Sequence, residues 1–183
     1  IPDPSALDEV RLREMLDLVG PASERRLLAS LIGDLQGARG ALAEAILRRY
    51  RTCEFTTFGK DGSPSTWPLC ARWLPDGRFL LTTSIGLPQK AFNIRRNPQV
   101  SLSFSEPTGS GVSKPGAVLV QGRAVCEDRI VTDMSSIPEL TLYFRETIFA
   151  RQPSGKMMSS WLGRRWMDWY YMRLLIYVTP ERM

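Results

Sequence analysis

FLLTTSIGLPQKAFNIRRNPQVSLSFS, residues 79–105, carries the reading on which the fold turns. Phe79 to Thr83 has the composition of a strand. Pro88 opens a short helix that Asn97-Pro98 stops, because proline presets the first helical turn and the residue before a proline avoids the helical region. Val100, Leu102 and Phe104 then alternate with Ser101, Ser103 and Ser105, a period of two that buries one face of a strand and hydrates the other. Between the first strand and the helix, the hydroxyls of Thr82, Thr83 and Ser84 stand close in sequence to Lys90, with Asn93 one turn on. A helix N-terminus leaves backbone donors unpaired and adds a positive partial charge, so an anion there is stabilised by hydrogen bonds and dipole together. Lys90 would supply a full charge.

Upstream, β-rich runs separated by Asp-Gly turns predict strands at 53–58, 65–74 and 78–83, two consecutive hairpins forming a meander. Downstream, residues 106–116 hold three glycines and two prolines and read as a mobile loop. A strand is expected at 117–127, helices at 137–150 and 154–166, and a closing strand at 171–178, apolar on both faces. Before residue 53 the period is helical: Ser5 caps a first helix, a second opens at Ser23, and a third covers 41–51. Six strands in mostly antiparallel order with one short helix between the third and fourth point to a barrel rather than an alternating α/β sheet. The chain thus divides into a helical extension, 1–40, acting as packing or lid, and a barrel domain, 41–183.

Composition narrows the chemistry. The chain has 183 residues, 43% hydrophobic, with a net charge of +5 and no histidine. Without histidine, Ser-His-Asp and Cys-His nucleophile systems, HExxH metal sites and His-ligated haem are excluded. Cys53, Cys70 and Cys126 form no CxxC pair, which argues against a disulfide framework or zinc site and for a reducing, cytoplasmic setting. No apolar run approaches the roughly 18 residues of a membrane span. The arginine clusters 48–51, 95–96 and 164–165 suit a solvated basic face or an anionic ligand. No recognition-helix or ribonucleoprotein motif supports nucleic-acid binding.

Several spaced pieces carry a resemblance: Asp61-Gly62-Ser63-Pro64, Leu74 to Phe79, Thr82-Thr83 through Gln89-Lys90, Asn93 to Leu102, and Val120 to Ala124. In that order they resemble the pyridoxamine 5'-phosphate oxidase-like flavin-binding split barrels, over about 41–127 and again at 171–182. The resemblance implies a mainly β fold with flanking helices, a six-stranded antiparallel split β-barrel, and a homodimer with flavin mononucleotide (FMN) or a related deazaflavin coenzyme in a groove between subunits. It implies that Thr83 and Lys90 hold the cofactor phosphate, that Thr66, Trp67, Pro68 and Leu69 lie along the ring edge, and that Gln121 lies near the ring. With Thr82, Ser84, Gln89 and Asn93 these form the candidate cofactor-binding set. Trp67 stands where the vitamin oxidases carry arginine, and Pro88-Gln89-Lys90 has one positive charge fewer than their usual run, so the activity implied is not that of a true pyridoxamine phosphate oxidase. Pro68-Leu69 and the tail Val178 to Arg182 lean toward the deazaflavin-using relatives.

The expected function is hydride transfer between the bound ring and a small organic substrate, the protein supplying position and polarity. The alternative is a non-enzymatic carrier of a flavin, deazaflavin or tetrapyrrole. No residue is nominated as catalytic; a substrate proton would come from solvent, tyrosine or a buried carboxyl of raised pKa. Trp161, Trp166, Trp169, Tyr170 and Tyr171 suit either packing or a lid over the groove. Arg173, a cation in an apolar run, suits either an anionic ligand or the barrel rim.

Overall fold

The computed structural model describes residues 26, 30, 40–113, 116–150 and 172–183. The chain divides into two units, Ile1–Glu44 and Ala45–Met183. The first expected helix, the second apart from Arg26 and Ser30, the helix at 154–166 and the aromatic group from Trp161 to Tyr171 lie outside the described residues. The third expected helix is present as α1, residues 40–49.

Two hairpins share one turn design. In Gly59-Lys60-Asp61-Gly62-Ser63 the amide of Gly62 donates to Gly59 O at 3.1 Å and that of Gly59 to Ser63 O at 2.8 Å. In Leu74-Pro75-Asp76-Gly77-Arg78 the amide of Gly77 donates to Leu74 O at 3.1 Å and that of Leu74 to Arg78 O at 2.8 Å. Gly62 and Gly77 sit at φ of 80° and 79°, the left-handed region that a side chain would disfavour. Each turn is braced by its aspartate, Asp61 Oδ1 accepting from Ser63 N and Asp76 Oδ1 from Arg78 N, both at 3.1 Å.

These turns join β1 (Cys53–Phe58) to β2 (Pro64–Leu69), and β3 (Arg72–Trp73) to β4 (Phe79–Ser84). The helix α2 (Gln89–Arg96), β5 (Gln99–Phe104) and β6 (Val118–Cys126) follow. A 3-10 turn (Met134–Ser136), α3 (Pro138–Leu142), a π-helix (Tyr143–Phe149) and β7 (Arg173–Arg182) complete the described order. All strands join one antiparallel sheet in the order β2-β1-β5-β6-β7-β4-β3.

Two expectations are corrected here. The hairpins form no meander, and the described strands number seven rather than six, because the run expected as one strand at 65–74 bends at Cys70-Ala71. Its first half pairs with β1 and its second with β4, at opposite edges of the sheet. Three Cα steps span at most about 11 Å, so the two edges are drawn together there by the covalent chain. Ring contact across the inside agrees: Phe79 of β4 and Phe104 of β5, three places apart in the sheet, have centroids 5.7 Å apart. The sheet is a curled, split barrel. The helix expected over 137–150 is also subdivided, turning from α to π at Tyr143.

The pleat sorts residues into two cores. Cys53, Phe55, Phe79, Leu81, Val100, Leu102, Phe104, Val120, Ala124, Ile176 and Val178 fill the barrel, closed by Ile46, Leu47 and Tyr50 and by Ala91 and Ile94 of α2. On the outer face, Leu80 of β4 and Leu175 of β7 pack with Leu140, Tyr143, Phe144 and Ile148. Burying side chains of this size is worth about 1.5–3 kcal/mol each. The register between β6 and β7 shifts at Gln121/Gly122, where a Cβ on Gly122 would run into the carbonyl of Thr179.

Candidate functional site

β4 and β7 run side by side to their ends at Ser84 and Arg173, which face each other across the ladder. Immediately beyond, the chain turns into α2. Leu87 N donates to Ser84 O at 2.9 Å, Gly86 N to Ser84 Oγ at 3.2 Å, and Thr83 Oγ1 to Leu87 O at 2.7 Å. Thr83 and Ser84 therefore brace the turn that aims the helix. Thr82, Thr83 and Ser84 are all buried, but successive residues of a strand face opposite ways. Thr83 shares the barrel-side parity of Phe79 and Leu81, whereas Thr82 and Ser84 share that of Leu80, toward the outer core.

α2 begins at Pro88 without a capping side chain. Phe92 N donates to Pro88 O at 3.1 Å, while the amides of Gln89, Lys90 and Ala91 have no backbone acceptor among the described residues. Lys90, in this first turn, is only 6% exposed. Its ammonium lies 4.9 Å from the centroid of the Trp67 ring, and no described carboxylate pairs with it. Burial, and then the charge of Arg173, hold its pKa below the ordinary lysine value. A buried cation is costly unless paired, and a ring face recovers only part of that cost.

Arg173 is itself 7% exposed, and its guanidinium lies 5.3 Å from the Phe144 ring. The sequence left it between a ligand and the rim; the structure buries it against the Phe144 ring. The available signal was a charge heading the apolar run Leu174-Leu175-Ile176.

Asn93 is fully buried and its amide is occupied within the protein. Nδ2 donates to Thr57 Oγ1 at 2.9 Å, and Oδ1 accepts from Gln89 Nε2 at 2.9 Å and from Arg96 at 2.6 Å. These bonds tie α2 to β1 and draw Gln89 along the helix. On β2, Trp67 and Leu69 pair with Phe55 and Cys53 and share their barrel-side parity, while Thr66 and Pro68 are exposed on the opposite face. Thr66 Oγ1 lies 2.8 Å from Thr56 Oγ1. Register carries this outer row on from Thr56 to Ser101 of β5 and then Gln121 of β6.

The candidate set thus falls into groups. Thr83, Gln89, Lys90 and Trp67 gather at the α2 end of the barrel. Thr66, Pro68 and Gln121 line the outer face, with about 14 Å between Thr66 and Gln121 at the usual strand spacing. Among the described residues no cluster of metal-ligating side chains occurs, and no helix is long and apolar enough to cross a membrane.

Residues 41–176 match the family model described as pyridoxamine 5'-phosphate oxidase. No curated protein matches the sequence. Among solved structures, the chain is similar to a protein of unknown function from Agrobacterium tumefaciens, with 19% identity and a TM-score of 0.48 over 78% of this chain; it spans only 55% of that longer one. It is similar to an F420 reductase, with 24% identity and a TM-score of 0.46 over 76% of this chain and 93% of the other. It is also similar to the heme storage protein HutZ from Vibrio cholerae, with 15% identity and a TM-score of 0.47 over 77% and 89%.

Proposed function

The chain belongs to the pyridoxamine 5'-phosphate oxidase family, and on that premise we propose that it binds a phosphate-bearing flavin-type cofactor, FMN or a deazaflavin coenzyme, and uses it to move a hydride to or from a small organic substrate. The observation that carries the proposal is Lys90, buried in the first turn of α2 beside three amides that no described backbone acceptor claims and with no described carboxylate. An anion answers all of these at once. Lys90 and the amides of Gln89, Lys90 and Ala91 would hold the phosphate. Thr83, whose proton is given to Leu87 O, holds the turn and keeps only acceptor capacity.

β2 suits the ring. It is an edge strand of the described sheet, so one side of its backbone has no ladder partner among the described residues. An edge strand accommodates proline where the N–H points away from its neighbour. That parity assigns Pro64, Thr66 and Pro68 to the open side and leaves Thr66 the only one of the three with an N–H to offer a heteroaromatic edge. Gln121 serves the same ring from the outer face, across the groove that a second copy of the chain would complete. The cofactor supplies the hydride chemistry when bound; this chain's part is to fix the phosphate, orient the ring and exclude water.

The test is titration of the apoprotein with FMN and, separately, the deazaflavin coenzyme, following ligand fluorescence, with Lys90→Met in parallel. Tight binding of one ligand, weakened tenfold or more by the substitution, is expected. Binding of neither overturns the proposal. Tight binding without reduction or reoxidation by any substrate would instead establish the carrier function. Sedimentation of the loaded protein checks the dimer.

A further inference from the structure

The two ends of β1 meet different chemistry. Near its last residue the strand is tied to α2, where Asn93 donates to Thr57. Three residues back, about 10 Å along the strand at the usual rise, stands Glu54. It alternates with the core residues Cys53 and Phe55, so it lies half-buried on the outer face. The ladder sets it opposite Pro68 of β2 on one side and Ser103 of β5 on the other. Cα atoms paired in this way stand about 4.5–5.5 Å apart, and Thr66, the diagonal neighbour on β2, is within reach of a long side chain. A ring laid along Thr66 and Pro68 therefore has the Glu54 carboxylate beside it.

One oxygen of that carboxylate is fixed, Glu54 Oε2 accepting from Ser105 Oγ at 3.0 Å. No described cation pairs with Glu54. Arg51, just before the strand, donates to Gly109 O at 3.2 Å, and the neighbouring carboxylate of Glu106 accepts from Thr108 N at 2.8 Å. Along the outward rows of β2, β1, β5 and β6, Glu54 is the only carboxylate among the described residues and Arg123 the only cation. Strand rise and spacing put Arg123 roughly 17 Å away, well beyond a Debye length of about 8 Å at physiological salt. The rest of these rows is hydroxyl, amide, proline and apolar side chain.

We infer that Glu54 determines substrate specificity: it makes the site beside the ring select an organic cation with N–H donors, such as an amidinium or ammonium group, and reject an organic anion. This deepens the cofactor proposal and rests on it for the ring against which the substrate lies. A charge-assisted bond to the Glu54 oxygen that Ser105 leaves open favours the cation, and like charge disfavours the anion. Ser105 is a positioning residue that holds the carboxylate toward the open face. Glu54 recognises the substrate's charge and takes no part in moving the hydride.

The experiment loads the protein with whichever of FMN and the deazaflavin coenzyme binds, then titrates it at pH 7.5 with three flat probes of one size: benzamidinium, benzamide and benzoate. Dissociation constants are read from the absorbance and fluorescence of the bound cofactor, on the wild type, Glu54→Gln and Ser105→Ala. On the wild type, benzamidinium should bind about three- to fivefold tighter than neutral benzamide, and benzoate weaker by about the same factor. Both differences should shrink as salt is raised. Glu54→Gln should bring the three probes within about twofold of one another, and Ser105→Ala should keep their order with a smaller spread. A wild type without this order, or an order unchanged in Glu54→Gln, overturns the inference and leaves the cofactor proposal standing. Should Glu54→Gln not fold, the salt series and Glu54→Asp, which keeps the charge but shortens its reach, decide: an order that neither narrows overturns the inference. If neither cofactor binds, the cofactor proposal falls and the same probes are scored on the apoprotein by saturation-transfer NMR. A benzamidinium preference that Glu54→Gln abolishes would then leave the cation site standing, and its absence would end both.

Discussion

Two strands of equal length, PSTWPL in β2 and FLLTTS in β4, flank the candidate site and behave in opposite ways. Every residue of β4 is buried, between the barrel core on one face and the π-helix on the other. In β2 exposed and half-buried residues alternate, and one backbone edge has no ladder partner among the described residues. Both strands carry threonine, but the hydroxyl of Thr83 is committed to the Leu87 carbonyl while that of Thr66 meets Thr56 at the surface. β4 is scaffold that aims a helix; β2 is surface that can receive a ligand. Hydroxyls that look equivalent in sequence do different work according to strand position and parity.

Substitutions can break this contrast. Leu81→Ala in β4 should cost about 2–5 kcal/mol, whereas Pro68→Ala in β2 should stay within about 0.5 kcal/mol; urea denaturation of both variants measures it. Equal losses would mean that β2 is as covered as β4. The threonines give a finer comparison: Thr83→Val should lose about 0.5–1.5 kcal/mol with its bond to Leu87 O, and Thr66→Val about 0.2–1 kcal/mol.

Lys90, which follows β4 in the first turn of α2 and lies over the Trp67 ring of β2, is tested through pH. Its folded pKa lies below the unfolded one, so the unfolded chain binds more protons, and stability should rise with pH between the folded value and about 10.4. Lys90→Met should abolish that rise and leave the apoprotein at least as stable at neutral pH, read from melting temperatures across pH 7–11. The smallest effect belongs to the turns leading into each strand. Hydrogen bonds from Ser63 and Arg78 hold Asp61 and Asp76 below the usual carboxylate value. Their contribution is present above about pH 4 and lost as pH falls through their lowered values. Asp61→Asn and Asp76→Asn should each flatten the acid limb of the melting profile slightly and equally.

Much of this was written in local sequence. The Asp-Gly turns, the serine alternation of β5 and the Pro88-to-Pro98 helix each follow from chemistry within a few residues, and each is found in place. The bend at Cys70-Ala71 was not legible, because nothing in the run 65–74 marks where partnership passes from β1 to β4; that depends on β7, about a hundred residues on, entering beside β4. The same holds for the site. Lys90 and the helix start were visible, but the division of Thr82, Thr83 and Ser84 between two faces needed the inward parity of Phe79 and Leu81. Arg173 gained its meaning only once β7 was laid beside Ser84.

β7 lies between β4 and β6, yet it is the last strand in chain order. During synthesis on the ribosome β4, buried along its whole length in the folded protein, therefore waits with only the two-residue β3 as a neighbour until Arg173–Arg182 has left the exit tunnel. A nascent chain stopped before that point would present Phe79–Ser84 as an adhesive edge, a natural substrate for a holdase chaperone. Proteins shortened at the C-terminus should accumulate as inclusion bodies rather than as weakened but folded protein.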